Sequence, residues 1–335
     1  MADIQSNLET LSAKDDNSMI REAGTEIETQ EKTSNTPEKV IYCAVSVDGD
    51  LRVGSQVQQK EGVRAMHQAH AELGILGCTS WLINENDFRW TEYHPEMLLE
   101  LAESGECIGV HDHLDTQYLE DKPYDRIYEF LSISRYRLHD FYVRAGLNAP
   151  IFVHRNGCAH QGREIYRALD LMEYTILSDV WPGMKWYSRM VLTEHPIQHW
   201  KSLEDEGDPD AIFTDNSQIP LSAAPWRHDA DNWLDVNSRS GRFLQAPITC
   251  LPWVDQARVQ TAVENSGQQV FLVIDTHPYN LQNPETGDVS ARLVEDYRNS
   301  LGWIRDTYHA IFIRIDQIPR LMTIEHKNKK MEYTL

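Results

Sequence analysis

Short apolar runs rich in β-branched residues alternate with longer segments whose apolar residues recur at helical spacing, from residue 40 to residue 315. The run Val40–Val47 and the segment Val57–Leu73 form the first pair, and Gly74 is a typical helix stop. Strands that alternate with helices in this way are typical of a parallel sheet with crossover helices. The sequence therefore predicts an α/β fold whose sheet is either open or closed into a barrel.

The same pattern places polar residues at the ends of predicted strands. These strands cover residues 40–47, 75–83, 107–110, 150–153, 174–177, 243–248, 270–275 and 311–315. The predicted helices cover residues 57–73, 95–105, 123–146, 162–172 and 289–308. Asp48, His111, Arg155 and His277 each lie at the C-terminal end of a different strand. Because those ends converge on one face of a (β/α) barrel, where active sites are built, the placement favours a barrel.

Composition divides the chain into regions. Residues 1–38 contain no aromatic residue and are rich in acidic and small polar ones, which predicts a disordered acidic tail. We expect one barrel domain over residues 39–320 and a C-terminal tail over 321–335. Residues 181–241 show little periodicity and are too long for an ordinary connection, so we interpret them as an insertion or lid.

Charge and cysteine content narrow the class of protein. A formal net charge of −21 argues against a nucleic-acid groove. No apolar run approaches the roughly 18 residues of a membrane span, and the N-terminus does not resemble a secretory signal. Five well-spread cysteines are typical of reduced, buried thiols. We expect a cytoplasmic protein that binds a small-molecule substrate, has no nucleic-acid or membrane partner, and can form oligomers.

The stretch Gly109–Asp115 concentrates ligand-type side chains. Two imidazoles and two carboxylates lie within five residues, a set that is costly to bury unless it is paired or binds a metal. If the preceding residues form a strand, the period of two places His111, His113 and Asp115 on one face. This pattern predicts half of a divalent-metal site, and the segment Val45–Asp50 is the candidate for the other half.

Each of these residues also has a simpler interpretation. Asp48 could begin an Asx-turn, and the two histidines could be hydrogen-bonded core residues. Arg155 could be a structural ion-pair partner, and His277 could only shape a turn before Pro278.

Several short motifs resemble those of the polysaccharide deacetylase superfamily, the NodB-homology fold of carbohydrate esterase family 4. The matching stretches are Ser46-Val47-Asp48-Gly49-Asp50, His111-Asp112-His113-Leu114-Asp115, Arg155-Asn156-Gly157 and the segment around His277. The resemblance covers roughly Val40 to Asp316 and implies a distorted (β/α)7 barrel. It also implies a divalent metal held by one Asp and two His, with a catalytic Asp as base.

Carried over to this sequence, the resemblance assigns a role to each strand-end residue. Asp48 corresponds to the base, Asp50 and His111 to metal ligands, Arg155 to the residue that orients the base, and His277 to the general acid. The third ligand position holds Asp115, so either Asp115 or the neighbouring His113 completes the set. The metal would be Zn²⁺, with Co²⁺, Ni²⁺ or Mn²⁺ as alternatives.

These roles are consistent with the chemistry of amide hydrolysis. A bound Zn²⁺ lowers the pKa of its water from 15.7 to about 7. A neighbouring carboxylate then accepts the proton, an opposite charge lowers the pKa of that carboxylate, and an imidazolium can protonate the leaving nitrogen. We therefore expect a metal-dependent hydrolase that removes an acyl group from a small amino sugar or acylated metabolite. The alternatives are a metal-independent, allantoinase-like ureide amidohydrolase and a non-catalytic barrel that binds a small molecule.

Overall fold

The computed structural model describes residues 39–114, 123–186, 214–222, 224–250 and 255–322. The predicted tail over 1–38, residues 323–335, residues 187–213 of the predicted insertion, and Asp115 lie outside these ranges. The domain boundaries drawn from the sequence therefore stay predictions.

Strands and helices alternate along the described chain. The strands are β1 (Val40–Asp48), β2 (Thr79–Ile83), β3 (Cys107–Asp112), β4 (Val153–Asn156), β5 (Ile176–Leu177), β6 (Lys185–Trp186), β7 (Thr214–Asp215), β8 (Trp226–His228), β9 (Phe243–Gln245), β10 (Gln269–Thr276) and β11 (Ile311–Phe312). The helices are α1 (Gln56–Leu73), α2 (Glu85–Phe88), α3 (Trp90–Tyr93), α4 (Pro95–Glu103), α5 (Tyr124–Arg144), α6 (Arg163–Leu171), α7 (Gln256–Asn265) and α8 (Ala291–Tyr308).

The main sheet runs β10-β1-β2-β3-β4-β5-β9 with parallel pairing throughout. β8 is added antiparallel to β9, and β11 pairs in parallel with the first half of β1. The chain after β9 returns to the other edge, because Cys250 forms a parallel bridge to Ile274 of β10. The sheet therefore curls round on itself, and the predicted distorted barrel is confirmed.

Local sequence signals explain where the elements begin and end. Ser55 caps α1 by accepting a hydrogen bond from the Gln58 amide, and Gly74 ends the helix in the left-handed conformation, with φ 72°. Asp255 caps α7 in the same way as Ser55, by accepting from the Arg258 amide. β1 and β10 are buried along almost their whole length, as expected for parallel strands covered on both faces.

Three predicted strands, those over residues 75–83, 150–153 and 174–177, begin too early, and the helices α2, α3 and α7 were not predicted. β2 starts at Thr79 rather than at residue 75, because Cys78 donates to the Ile75 carbonyl in a turn. β4 starts at Val153 rather than at residue 150, and a proline such as Pro150 cannot donate to a strand ladder. As a consequence, Arg155 lies within β4, where it pairs in register with His111 of β3.

Within the predicted insertion, β6 and β7 form a small two-stranded antiparallel sheet. Among the residues that the structure describes, no helix combines the length and the apolar character needed to cross a membrane.

Candidate active site and metal centre

Two carboxylates lie where β1 ends, separated by Gly49. The Gly49 amide donates to the Leu82 carbonyl at 2.7 Å, and a Cβ on Gly49 would lie 3.0 Å from the Ile83 Cα. A side chain at this position would therefore push β1 away from β2. The close approach places Asp50 beside Asn84, whose Nδ2 donates to the Asp50 Oδ1 at 2.8 Å.

The alternation of β3 separates its polar residues onto two faces. His111 and His113 point together into the barrel, with their Nε2 atoms 3.0 Å apart. Asp112 points outward, where its Oδ1 accepts a hydrogen bond from the Ser134 hydroxyl at 2.6 Å. The structure therefore brings His111 and His113 to the two β1 carboxylates, while Asp115, the other candidate ligand, lies outside the described residues.

Asp50, His111 and His113 form a compact buried group. One ligand atom from each lies within 4.8 Å of the others. The Nε2 of His113 lies 3.1 Å from the Asp50 Oδ2, and the Nε2 of His111 lies 3.7 Å from the Asp50 Oδ1. The Asp50 carboxylate and the two imidazoles therefore share one site.

The hydrogen-bonding capacity of these rings indicates what the group can hold. The His111 Nδ1 lies 3.2 Å from the Arg155 carbonyl, which can only accept, so Nδ1 carries the proton and Nε2 of the neutral ring carries a lone pair. Burial lowers the pKa of His111 well below its usual value, which favours this neutral form. Two imidazole nitrogens and a carboxylate that converge in this way fit a divalent cation, and the Nδ1–carbonyl contact is typical of a metal-binding histidine.

Gly157 makes room for one of these rings. A Cβ on Gly157 would lie 2.3 Å from the Nδ1 of His113, so no other residue fits here without displacing the imidazole. The next two residues, Cys158 and Ala159, have φ values of 55° and 54°. Positive φ is uncommon outside glycine, and two such residues in succession indicate a strained backbone beside the site.

Arg155 is buried in the barrel and uses all five of its N–H groups. Its Nη1 donates to the Asp48 Oδ1 at 2.8 Å and to the Asp275 Oδ1 at 2.6 Å. Its Nη2 donates to the hydroxyls of Ser46 and Ser178, and its Nε donates to the Ser178 carbonyl. A guanidinium with every donor satisfied holds a single orientation, and it fixes Asp48 in that orientation.

The two β1 carboxylates have opposite pKa shifts. Burial raises the pKa of Asp48 well above its usual value; Arg155 opposes this shift without reversing it, and Asp275 and Asp50 add to it. Burial also acts to raise the pKa of Asp50, but Arg52, His113 and His111 hold that pKa well below its usual value. Asp50 is therefore the permanent anion, and Asp48 has the greater proton affinity.

His277 faces Asp48 from the end of β10. Its Nε2 lies 3.9 Å from the Asp48 Oδ2, and the backbone after it turns at Pro278. Burial lowers the pKa of His277, while Asp275 and Asp50 act in the opposite direction. The resting imidazole is therefore neutral near pH 7, although the sequence interpretation used its charged form.

The structure adds residues that were not among the sequence candidates. These are Ser46, Arg52, Asn84, Ser178 and Asp275. Asn84 and Ser178 are each the first polar residue after a predicted apolar strand, and Asp275 ends another, so the strand-end criterion could have found them. Arg52 lies in the loop between β1 and α1, and no periodic pattern marks it.

The fold is similar to that of a solved structure with little sequence identity. A "putative polysaccharide deacetylase" from Mycobacterium smegmatis superposes with a TM-score of 0.53 and 12% identity, over 87% of this chain and 93% of that chain. A protein of the same description from Bordetella bronchiseptica, involved in O-antigen biosynthesis, is 16% identical over 78% and 82% of the two chains. Its TM-score of 0.39 is too low to define a fold.

No protein-family model matches the sequence, and no curated protein matches it. The chain nevertheless shares the distorted barrel of the Mycobacterium smegmatis protein, and the resemblance to polysaccharide deacetylases is confirmed at the level of the fold.

Proposed function

We propose that this chain is a divalent-metal-dependent hydrolase that removes an acyl group from the nitrogen of a small amino sugar or acylated metabolite. One observation carries the proposal: three metal-binding side chains converge beside a carboxylate that an arginine holds in place. All of them lie at the carboxyl ends of barrel strands, where barrel enzymes build their active sites.

Asp50, His111 and His113 would hold the metal ion. One carboxylate and two imidazoles suit Zn²⁺, and Co²⁺, Ni²⁺ and Mn²⁺ bind similar sets. We assign the third position to His113, whose Nε2 lies 3.0 Å from that of His111 and 3.1 Å from the Asp50 carboxylate. A bound ion supplies Lewis acidity to an amide carbonyl and lowers the pKa of water.

Asp48 accepts the proton of the attacking water. Because burial raises its pKa, it is a stronger base than an exposed aspartate, and Arg155 keeps its carboxylate oriented. Base catalysis of this kind accelerates a reaction by roughly 10² to 10⁴.

His277 protonates the leaving nitrogen. Since the resting ring is neutral, it takes up a proton during the reaction, and Asp48 can supply the proton that it has just accepted. The Asp48 Oδ2 and the His277 Nε2 are 3.9 Å apart, so a small movement allows the transfer. The net reaction then consumes one water and produces the acid and the free amine.

A second candidate function keeps the fold without the metal. The guanidinium of Arg52 lies 2.9 Å from the His113 Nε2 and 2.8 Å from the Asp50 Oδ2. A positive charge therefore lies beside Asp50 and His113 even without a metal ion. This charge favours the ureide hydrolase over the non-catalytic barrel as the second candidate.

Metal content and substrate turnover together separate these functions. The purified chain is analysed for bound metal, treated with a chelator, and assayed against N-acetylated amino sugars, acylated amino acids and allantoin. We expect about one ion per chain, loss of amide hydrolysis on chelation, and recovery with Zn²⁺ or Co²⁺. Full activity after complete chelation would contradict the metal-dependent mechanism, and ureide release by the metal-free chain would favour the second candidate. If the chain binds one of these compounds but turns none of them over, the non-catalytic barrel is the alternative that remains.

A further inference from the structure

Arg52 contacts two of the three metal-binding residues. Its Nε donates to the Asp50 Oδ2 at 3.0 Å, and its Nη2 lies 2.8 Å from the same oxygen. The same Nη2 lies 2.9 Å from the His113 Nε2. Because a guanidinium can only donate, the Asp50 oxygen presents a lone pair to it, and a hydrogen bond to the His113 Nε2 requires a lone pair there as well. A metal ion in this group would need those same two lone pairs.

The nitrogen of His113 cannot form all of its short contacts as hydrogen bonds. Its Nε2 lies within 3.1 Å of Arg52, His111 and Asp50, yet an imidazole nitrogen carries either one proton or one lone pair. If it accepts from Arg52, its lone pair also faces the lone pair of His111 and the Asp50 carboxylate. In that tautomer a cation offsets the repulsion, and Arg52 provides one.

The two arginines of the site are held very differently. Arg155 lies in β4, its side chain is 2% exposed, and all five N–H groups are bonded. Arg52 lies in the loop between β1 and α1, and its side chain is 14% exposed. Arg155 is part of the barrel wall, whereas Arg52 lies in a connecting loop with its side chain partly open to solvent.

We infer that Arg52 is a displaceable internal cation that occupies the ligand lone pairs of Asp50 and His113 and thereby weakens the binding of a divalent ion. This inference rests on the proposed metal-dependent function. An incoming ion must displace the charge-assisted contacts of the guanidinium before it binds, so their free energy is subtracted from the affinity for the metal. Ions that bind imidazole strongly, such as Zn²⁺, overcome this competition more readily than Mg²⁺ or Ca²⁺.

Metal affinity tests the inference directly. Zn²⁺ binding is measured by competition with a chromophoric chelator in the metal-free wild-type chain and in R52Q, R52K and R126Q. Arg126 is the matched control, because it pairs with Glu129 at 3.1 Å on the exposed surface of α5. We expect R52Q to bind Zn²⁺ roughly 10- to 100-fold more tightly than the wild type. R52K keeps the positive charge but loses the planar guanidinium, so its Zn²⁺ affinity should lie between those of R52Q and the wild type. The Zn²⁺ affinity of R126Q should match that of the wild type.

The visible spectrum of bound Co²⁺ shows independently of activity whether the ion occupies the same ligand set in each variant. Equal or weaker affinity in R52Q, with an unchanged Co²⁺ spectrum, overturns the inference and leaves the proposed function intact. Binding by R52Q but not by the wild type supports the inference and overturns the metal-dependent function. If neither chain binds a divalent ion, both are overturned.

Discussion

The two faces of β3 and β4 both carry buried histidines and carboxylates, yet only one face resembles a metal site. On the outer face, the Asp112 carboxylate accepts from the Ser134 hydroxyl at 2.6 Å and from the Asn86 Nδ2 at 2.9 Å, and it lies 3.4 Å from the His154 Nε2. The Asp112 carboxylate is therefore satisfied by protein groups without an ion. On the inner face, the Nε2 atoms of His111 and His113 lie 3.0 Å apart beside the Asp50 carboxylate, and the Arg52 cation lies against Asp50 and His113.

This difference distinguishes a structural polar cluster from a candidate binding site on the same strands. Burial and residue type are alike on the two faces. What differs is the arrangement of ligand atoms. The inner face gathers a carboxylate and two imidazole nitrogens around one point, whereas the Asp112 carboxylate on the outer face is bonded to donors. Substitutions on the inner face should therefore affect activity and metal binding, and those on the outer face should affect stability.

The largest expected effect is on turnover, from Asp48→Asn on the inner face. Removing the base should lower kcat by roughly 10² to 10⁴ while metal content stays near that of the wild type, because Asp48 is not assigned as a ligand. Steady-state kinetics and metal analysis of the same preparation measure both. The outer-face variant Asp112→Asn is the control and should keep activity within a few-fold. An active Asp48→Asn chain would remove Asp48 from the mechanism.

The second-largest expected effect is a loss of stability, caused by Asp112→Ala on the outer face. The change leaves the Ser134 hydroxyl, the Asn86 amide and His154 without their shared carboxylate inside the protein. We expect the free energy of unfolding to fall by about 3 to 5 kcal/mol, with metal stoichiometry unchanged in the folded fraction. Urea denaturation measures the loss, and Asp112→Asn should recover part of it. A stable Asp112→Ala chain that has lost its metal would contradict the division between the faces.

Much of this arrangement could be predicted from the sequence, because strand-end residues in a barrel share one face. Asp48, His111, Arg155 and His277 were identified in this way, and the structure brings all four within one site. Alternation also placed His111 and His113 together. The roles of these residues stay proposals.

Other features could not be predicted, since they depend on contacts between distant segments. Arg52 lies in an irregular loop, and only the fold brings it to His113, which is 61 residues away. The pKa of Asp48 was expected to fall beside Arg155, but burial is the larger effect, and burial is a property of the packed barrel. Turns at residues 75–78 shortened a predicted strand although the apolar pattern continued through them.

A smaller expected effect is a pH dependence of the free energy of unfolding, caused by Asp179 on the outer face near β5. Burial raises the pKa of Asp179 to about 6, and its carboxylate contacts Asn156 and Tyr166. Because this folded-state pKa lies above the unfolded value, the folded chain binds more protons between about pH 4 and pH 6. The contribution of Asp179 to the free energy of unfolding should therefore decline by about 3 kcal/mol as pH rises through that window.

Asp179→Asn removes this titration while keeping the shape of the side chain. Unfolding free energies of the wild type and the variant are compared from pH 4 to pH 7, and the difference between them should shift in favour of the variant as pH rises. Parallel pH profiles would show that Asp179 does not titrate in this range. Metal affinity should be unchanged at pH 7, since Asp179 belongs to the outer face.

The smallest expected effect is on metal affinity, from Gly157→Ala. The new Cβ would lie 2.3 Å from the His113 Nδ1, so the ring must move away from Asp50 and His111. If His113 is the third ligand, Zn²⁺ affinity should fall roughly 10- to 100-fold, the range for a disturbed outer-shell contact of a metal ligand. Gly302→Ala is the matched control, because a Cβ at Gly302 meets nothing within 4 Å and should leave affinity unchanged. Unchanged affinity and an unchanged Co²⁺ spectrum in Gly157→Ala would argue that His113 is not a ligand, and the third position would then pass to Asp115.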